Sequence, residues 1–134
     1  MPEYQPKSYA EEIVACNLGE TGNVTGTELL WRNASPTSEF ATNGIMSGWN
    51  AEYSEYRLIC YSSTTSQVVI PPVCFKPGER VVAGIAWGDD GNIRSRSFDS
   101  TATSVTSRIA YASKTADNKS IIPWELYGIK GVSA

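Results

Sequence analysis

Histidine is absent from the 134-residue chain. The commonest general base and the commonest zinc ligand are therefore missing together. Cysteine is scarce: Cys16, Cys60 and Cys74 are widely spaced and form no C-x-x-C pair. That excludes a zinc ribbon and a dense disulfide framework. Free, buried thiols are the expectation, and a Cys60–Cys74 bridge across neighbouring strands stays open. Charged residues are few, at 19%, below the usual quarter or so. The net charge is −3 and no Lys/Arg cluster exists to neutralise phosphates, so no nucleic-acid footprint is present. No apolar run approaches the ~18 residues of a membrane span. The N-terminus shows no basic-then-apolar leader, so we expect a protein made in a reducing cytosol, with no membrane partner.

The equipment of an enzyme is missing as well. Serines are plentiful, but no histidine can activate one and no Gly-x-Ser-x-Gly elbow is present. No glycine loop is built to cradle phosphate. With 14 acidic residues, a pair of carboxylates across a cleft is not distinguishable from solvated charge. Asp89-Asp90-Gly91-Asn92 lacks the spacing and the distal glutamate of a calcium loop, and reads as a hairpin turn. Asp117-Asn118 reads as a loop tip, and Arg94-Ser-Arg96 as a solvated strand face or a local ion-pair site. No catalytic, cofactor-binding or metal-binding residue is expected, and the chain is not expected to be an enzyme.

What fills the chain instead is Ser, Thr, Asn, Gly and aromatic residues, a composition of strands and turns. Residues 1–27 stand apart as an arm. Ser8 to Glu11 fits a capping box, which predicts a helix over Ala10–Asn17; a short strand over Ile13–Leu18 reads equally well. Gly19–Gly26 reads as a linker. From residue 28 to 134 the signals are β. Glu28–Arg32 is a short strand ended by the turn cluster Asn33–Pro36. Phe40–Trp49 is loop-like, with a brief pairing at Gly44-Ile45-Met46. Tyr53–Ser62 alternates, with Tyr56, Leu58 and Cys60 on one face and Glu55, Arg57, Ile59 and Tyr61 on the other. Pro71-Pro72 reduces Gln67–Phe75 to an edge or kinked strand.

After the turn Lys76–Glu79, Arg80–Trp87 puts Val81, Ala83, Ile85 and Trp87 on one face. Val82, Gly84 and Ala86 are small enough on the other for close backbone packing. Asn92–Asp99 returns, with Arg94, Arg96 and Phe98 together. Val105–Ala112 alternates through Val105, Ser107, Ile109 and Tyr111. The last strand is Ser120–Lys130, with Ile122, Trp124 and Leu126 on one face and Tyr127 and Ile129 on the other. A strand apolar on both faces is covered on both sides, so we expect it in the middle of a sheet, with Trp124 buried. One cover is then the domain's own core and the other a partner sheet or subunit. Ile59, Tyr61 and Ile93 are likewise odd on a monomer's solvent face. About seven or eight short strands with a turn every 8–12 residues predict an all-β, antiparallel β-sandwich or jelly-roll-like domain behind a short N-terminal arm.

Four tryptophans, Trp31, Trp49, Trp87 and Trp124, are by default core or interface residues. Trp49, in a Gly-rich stretch, its neighbour Tyr53, and Trp87, beside the hairpin tip, are the candidates for exposed aromatics that bind a ligand surface.

Two motifs bracket the β-region: Leu30-Trp31-Arg32-Asn33-Ala34-Ser35-Pro36-Thr37-Ser38-x-Phe40 at its start, and Ile122-Pro123-Trp124-Glu125-Leu126-Tyr127-Gly128-Ile129-Lys130 at its end. Together they resemble the C-terminal β-sandwich of phage structural proteins, such as tail fibres, receptor-binding proteins and minor structural proteins. The resemblance covers about residues 29–130 and carries no catalytic residue over. It implies a virion component assembled in the bacterial cytoplasm, a homotrimer, other virion proteins as partners through residues 1–27, and contact with a host cell-surface glycan. Only a short arm precedes the domain, where a tail fibre has a long shaft. A head fibre, capsid decoration protein or tail-tip subunit suits that length better. The alternative is a free carbohydrate-binding module with Trp49 and Trp87 as stacking platforms. A small glycoside-acting enzyme is third.

Overall fold

A computed structural model describes residues 23–24, 26–64, 68–86, 93–130 and 132–133. The expected helix or strand of residues 8–18, the Asp89–Asn92 turn and Trp87 lie outside these residues. Every described element is a strand. Strands β1 (Asn23–Val24) and β11 (Val132–Ser133) pair with each other. A four-stranded sheet has the order β2 (Thr27–Arg32), β10 (Ser120–Ile129), β4 (Glu55–Ser63), β5 (Val73–Phe75). The second sheet has the order β3 (Ile45–Ser47), β8 (Ser104–Ala112), β7 (Ile93–Ser100), β6 (Val81–Ala86), with β9 (Thr115–Ala116) added beside β8. All pairings are antiparallel. In chain order β2 pairs with β10 and β3 with β8, the nested wrapping of a jelly roll. The strands inside that nest close as hairpins, β4 with β5 and β6 with β7.

The two sheets face each other across one core. The four-stranded sheet contributes Tyr56, Leu58, Cys60, Phe75, Ile121 and Leu126, and the five-stranded sheet Met46, Ala83, Phe98 and Val105. The expected alternation in β4 holds, since Tyr56, Leu58 and Cys60 enter this core while Ile59 belongs to a separate cluster on the opposite face. Strand β10 lies in the middle of its sheet, as its doubly apolar pattern predicts.

The faces of β10 do not follow simple alternation. Leu126 pairs with Leu58 and sits in the core, but Trp124 packs with Ile59 and Tyr127 on the outer face. The register shifts between Pro123 and Glu125, and again on the β2 side between Leu126 and Tyr127. Each bulge changes which side a residue faces. Ile122 therefore pairs with Tyr61 on the outer face, and Ile121 enters the core in its place, at φ 50°. That left-handed conformation is rare for a β-branched residue. Trp124 is half-buried, stacked on Tyr61 with ring centroids 5.0 Å apart.

A third bulge, between Arg96 and Phe98, lies opposite Ser107 and Ala110. It sends Val105, Ser107 and Ala110 inward and leaves Ile109 and Tyr111 exposed, so the alternation read through Val105, Ser107, Ile109 and Tyr111 breaks after Ser107. Arg96 is not on a solvated face. It is 1% exposed, with its guanidinium donating to Phe40 O, Ser107 Oγ and Asn118 O. Cys60 and Cys74 are not bonded to each other. Cys60 points into the core, whereas Cys74 is paired with Arg57 and so shares the opposite face.

The close approach of β10 to β2 and the 49–54 loop requires glycine at 128. A methyl there would lie 2.6 Å from the Tyr53 ring and 2.7 Å from Leu30. Gly128→Ala should lower unfolding stability by about 1–3 kcal/mol through overpacking, read as a lower urea midpoint at unchanged slope. An unchanged midpoint would mean that β10 is packed differently here.

Candidate functional site

The first candidate surface is the aromatic patch of Trp49 and Tyr53. Both side chains turn toward the protein. Tyr53 is 8% exposed and part of the core, and its hydroxyl donates to Glu28 Oε2 at 2.6 Å. Tyr53 therefore ties the loop before β4 to β2 and is not a surface platform. Trp49 is half-buried against the core. Its indole Nε1 is shared between Tyr56 Oη and Ala102 O, each at 3.3 Å, and its ring meets Tyr56 edge-on at 5.8 Å. The Tyr56 hydroxyl in turn lies 2.9 Å from Thr101 O and 3.0 Å from Ala102 O. Trp49 and Tyr56 thus fasten the β7–β8 turn to the four-stranded sheet. The sequence gives no signal for this, because its loop residues carry no alternation to read.

The second candidate surface is the pair of motifs at the two ends of the β-region. They meet in space: Leu126 is opposite Trp31 and Glu125 opposite Arg32. Asn33 N donates to Trp124 O at 2.8 Å, and Asn33 Nδ2 donates to Pro123 O at 2.8 Å. Asn33 Oδ1 accepts from Ser35 N, turning the chain ahead of Pro36. Arg32 pairs with the buried Glu125 carboxylate, which also accepts from Tyr127 Oη. Trp31 and Phe40 pack edge-to-face at 5.9 Å, and the Arg96 guanidinium lies 5.7 Å from the Phe40 ring centroid. Burial lowers the Arg96 pKa to about 10, so it remains cationic at neutral pH. Each motif residue in this group holds another part of the fold.

The third is the outer face of the five-stranded sheet. Ile45, Val82, Ile93, Ile109 and Tyr111 are exposed there, with Val82 61% and Ile45 60% accessible. Gly84 is also exposed, so the small face expected to receive another backbone is open among the described residues. A charged group lies along the same sheet: Asp99 joins Arg80 at 2.5 Å and Arg108 at 2.6 Å. These hydrogen bonds hold the Asp99 carboxyl below the usual carboxylate range. By contrast Ile122, Leu126 and Ile129 are fully buried within one chain. As the candidate oligomer strand, β10 has no exposed apolar face to offer.

No group of three or more metal-ligating side chains occurs among the described residues. Burial drives the Cys60 thiol well above its usual value, so it is unreactive. Comparison with protein-family models, with curated proteins and with solved structures finds no match.

The inward placement of Tyr53 has a pH signature. Burial, followed by the Glu28 carboxylate, raises its phenol from the usual 10.0 to about 12. The stability this contributes is whole below pH 10 and is lost as the pH rises toward 12, where the unfolded chain ionises first. Urea midpoints taken from pH 9 to 12 should therefore fall more steeply for the native chain than for Tyr53→Phe. Equal slopes would mean that Tyr53 ionises as freely as an exposed phenol.

Proposed function

We propose that the chain is a bacteriophage virion structural protein: a small β-domain projecting from the particle as a homotrimer, attached through residues 1–27. The observation that carries this reading is the union of the two bracketing motifs. They lie about ninety residues apart in sequence (Asn33 to Pro123 is a separation of 90) yet form one hydrogen-bonded unit around Asn33, Trp31 and Glu125. A resemblance carried by both motifs is then a resemblance in one packed unit.

Self-association is supported by the outer face of the five-stranded sheet. Exposed aliphatic residues scattered singly need no explanation, but several on one sheet face mark an interaction surface. Val82 and Ile93 lie on strands β6 and β7, with Ile109 and Tyr111 on the adjoining β8. Glycan binding through aromatic platforms finds no support at Trp49 or Tyr53, whose polar atoms are committed inside the protein.

Two measurements test the reading. An antibody against residues 28–134, applied to purified particles of the phage that encodes the chain, should label the virion at a fixed location. Sedimentation equilibrium should give a trimer for the native chain and a monomer for Val82→Lys/Ile93→Lys, with the fold retained because both side chains are exposed. Particles that lack the chain would overturn the virion role. A native monomer would overturn the oligomer.

A further inference from the structure

A β-sheet ends in a row of unpaired backbone groups unless its edge is covered or blunted. Among the described residues the sandwich has such edges at β2 and β5 of one sheet, and at β6 and β3 with β9 of the other. All but one are blunted. Strands β3 and β5 have three residues each and β9 has two, and β5 follows Pro71-Pro72. Strand β2 carries Glu28 and Arg32, paired with Lys130 and Glu125, and its register against β10 is interrupted. Strand β6 has none of these devices. It reads Val-Val-Ala-Gly-Ile-Ala, with no charge and no proline, and its register against β7 is unbroken.

The open edge of β6 can be assigned residue by residue. Ile93 O accepts from Ser113 N, on the β8 side of β7. In an antiparallel strand the N–H and C=O of one residue point the same way, and successive residues alternate. Arg94, Arg96 and Phe98 therefore turn their backbone groups to β6, where they meet Ile85, Ala83 and Val81. Val82, Gly84 and Ala86 turn theirs away from β7, and no further strand pairs with them among the described residues. Val82 is 61% exposed, and Gly84 is exposed as well.

The same strand says what fits it. A sheet edge that receives another protein's peptide selects it through pockets for alternate side chains. Here the exposed side offers Val82 beside a bare glycine, which gives a foreign side chain little to select on. The strand matches itself instead, since two uncharged copies meet with no like charges opposed. We propose that β6 pairs antiparallel with β6 of a second copy of the chain, about a two-fold axis at Gly84. Gly84 then lies opposite the partner's Gly84, and Val82 opposite the partner's Ala86, each pair exchanging both of its outward hydrogen bonds. Residues directly opposite share a face, so Ala83 meets the partner's Ile85 on the core side. The two five-stranded sheets become one, and the pairing closes at two copies because the remaining edges are blunted. A single pair of six-residue strands buries less than the ~1,200 Å² of a standard interface, so the contact is weak and depends on concentration. This inference does not rest on the virion reading. It is read as a doubling of the dilute species, so it is decided separately from the trimer.

Amide hydrogen exchange on the full-length protein tests it. Protection of Val82, Gly84 and Ala86 should rise as the chain is concentrated, while Ala83 and Ile85, bonded to β7, stay protected throughout. Over the same range, sedimentation should show the mass of the dilute species doubling. Val82→Pro removes one outward N–H and leaves the ladder to β7 whole, so its mass should stay at the dilute value. Free exchange at the three outward amides at every concentration would overturn the proposal. Protection that does not change with concentration would overturn it too, since the cover would then belong to the same chain. So would a Val82→Pro chain that doubles as the native one does.

Discussion

The fold depends on one strand being hydrogen-bonded on both edges. Strand β10 lies between β2 and β4, and every backbone group it presents must find a partner there, since a buried unpaired amide or carbonyl is costly. That demand is unusual because Pro123 is in its path. Proline has no N–H and is normally confined to edges or bulges. Here the register shift after Pro123 accommodates it, and Asn33 accepts the consequence. Its backbone N–H and its side-chain amide take up the carbonyls of Trp124 and Pro123. The opening and closing motifs are therefore complementary halves of one repair, which explains why an asparagine in one and a proline in the other belong together.

The position of β10 in the chain has a kinetic side. Its partner β2 lies near the start of the β-region and β10 near its end, so the central pairing closes a loop of about ninety residues (the Arg32–Glu125 pair is separated by 93). Loop-closure entropy must be overcome before such a contact stabilises anything. Sequential hairpins β4–β5, β6–β7 and β7–β8 are local by comparison. The sheet containing β10 stays open until Ser120–Ile129 pairs, whereas the strands of the other sheet, Ile45 to Ala116, all precede it in the chain.

Much of this architecture is legible in the residues. Turn chemistry marks the strand ends, and the doubly apolar Ser120–Lys130 run marks a strand covered on both sides. Which face each residue occupies is less legible, for a definite reason. Alternation assigns faces only while the register is unbroken, and three register shifts, at Pro123/Glu125, Leu126/Tyr127 and Arg96/Phe98, each re-aim the side chains beyond them. Trp124 moves outward, Ile121 inward, and Ile109 outward. The loop aromatics fail for another reason. Trp49 and Tyr53 are turned inward by partners remote in sequence, Ala102 and Glu28, and a Gly-rich stretch carries no period that would show it. Arg96 looks solvated because arginine usually is. Its site exists only where Phe40 O, Asn118 O and Ser107 Oγ converge.

The two outer faces of the sandwich differ in kind, and the difference constrains any assembly. One carries a fully buried arginine and three fully buried isoleucines within a single chain. Side chains already buried there offer no further apolar area to a neighbour. The other presents Val82, Ile93, Ile45 and Ile109 to solvent already, and burying them against a neighbour requires nothing to be removed. Such a contact also needs a rim that sets orientation, and the Arg80–Asp99–Arg108 group supplies fixed charges beside the apolar residues. A contact through the five-stranded sheet would therefore bury apolar area that is already exposed.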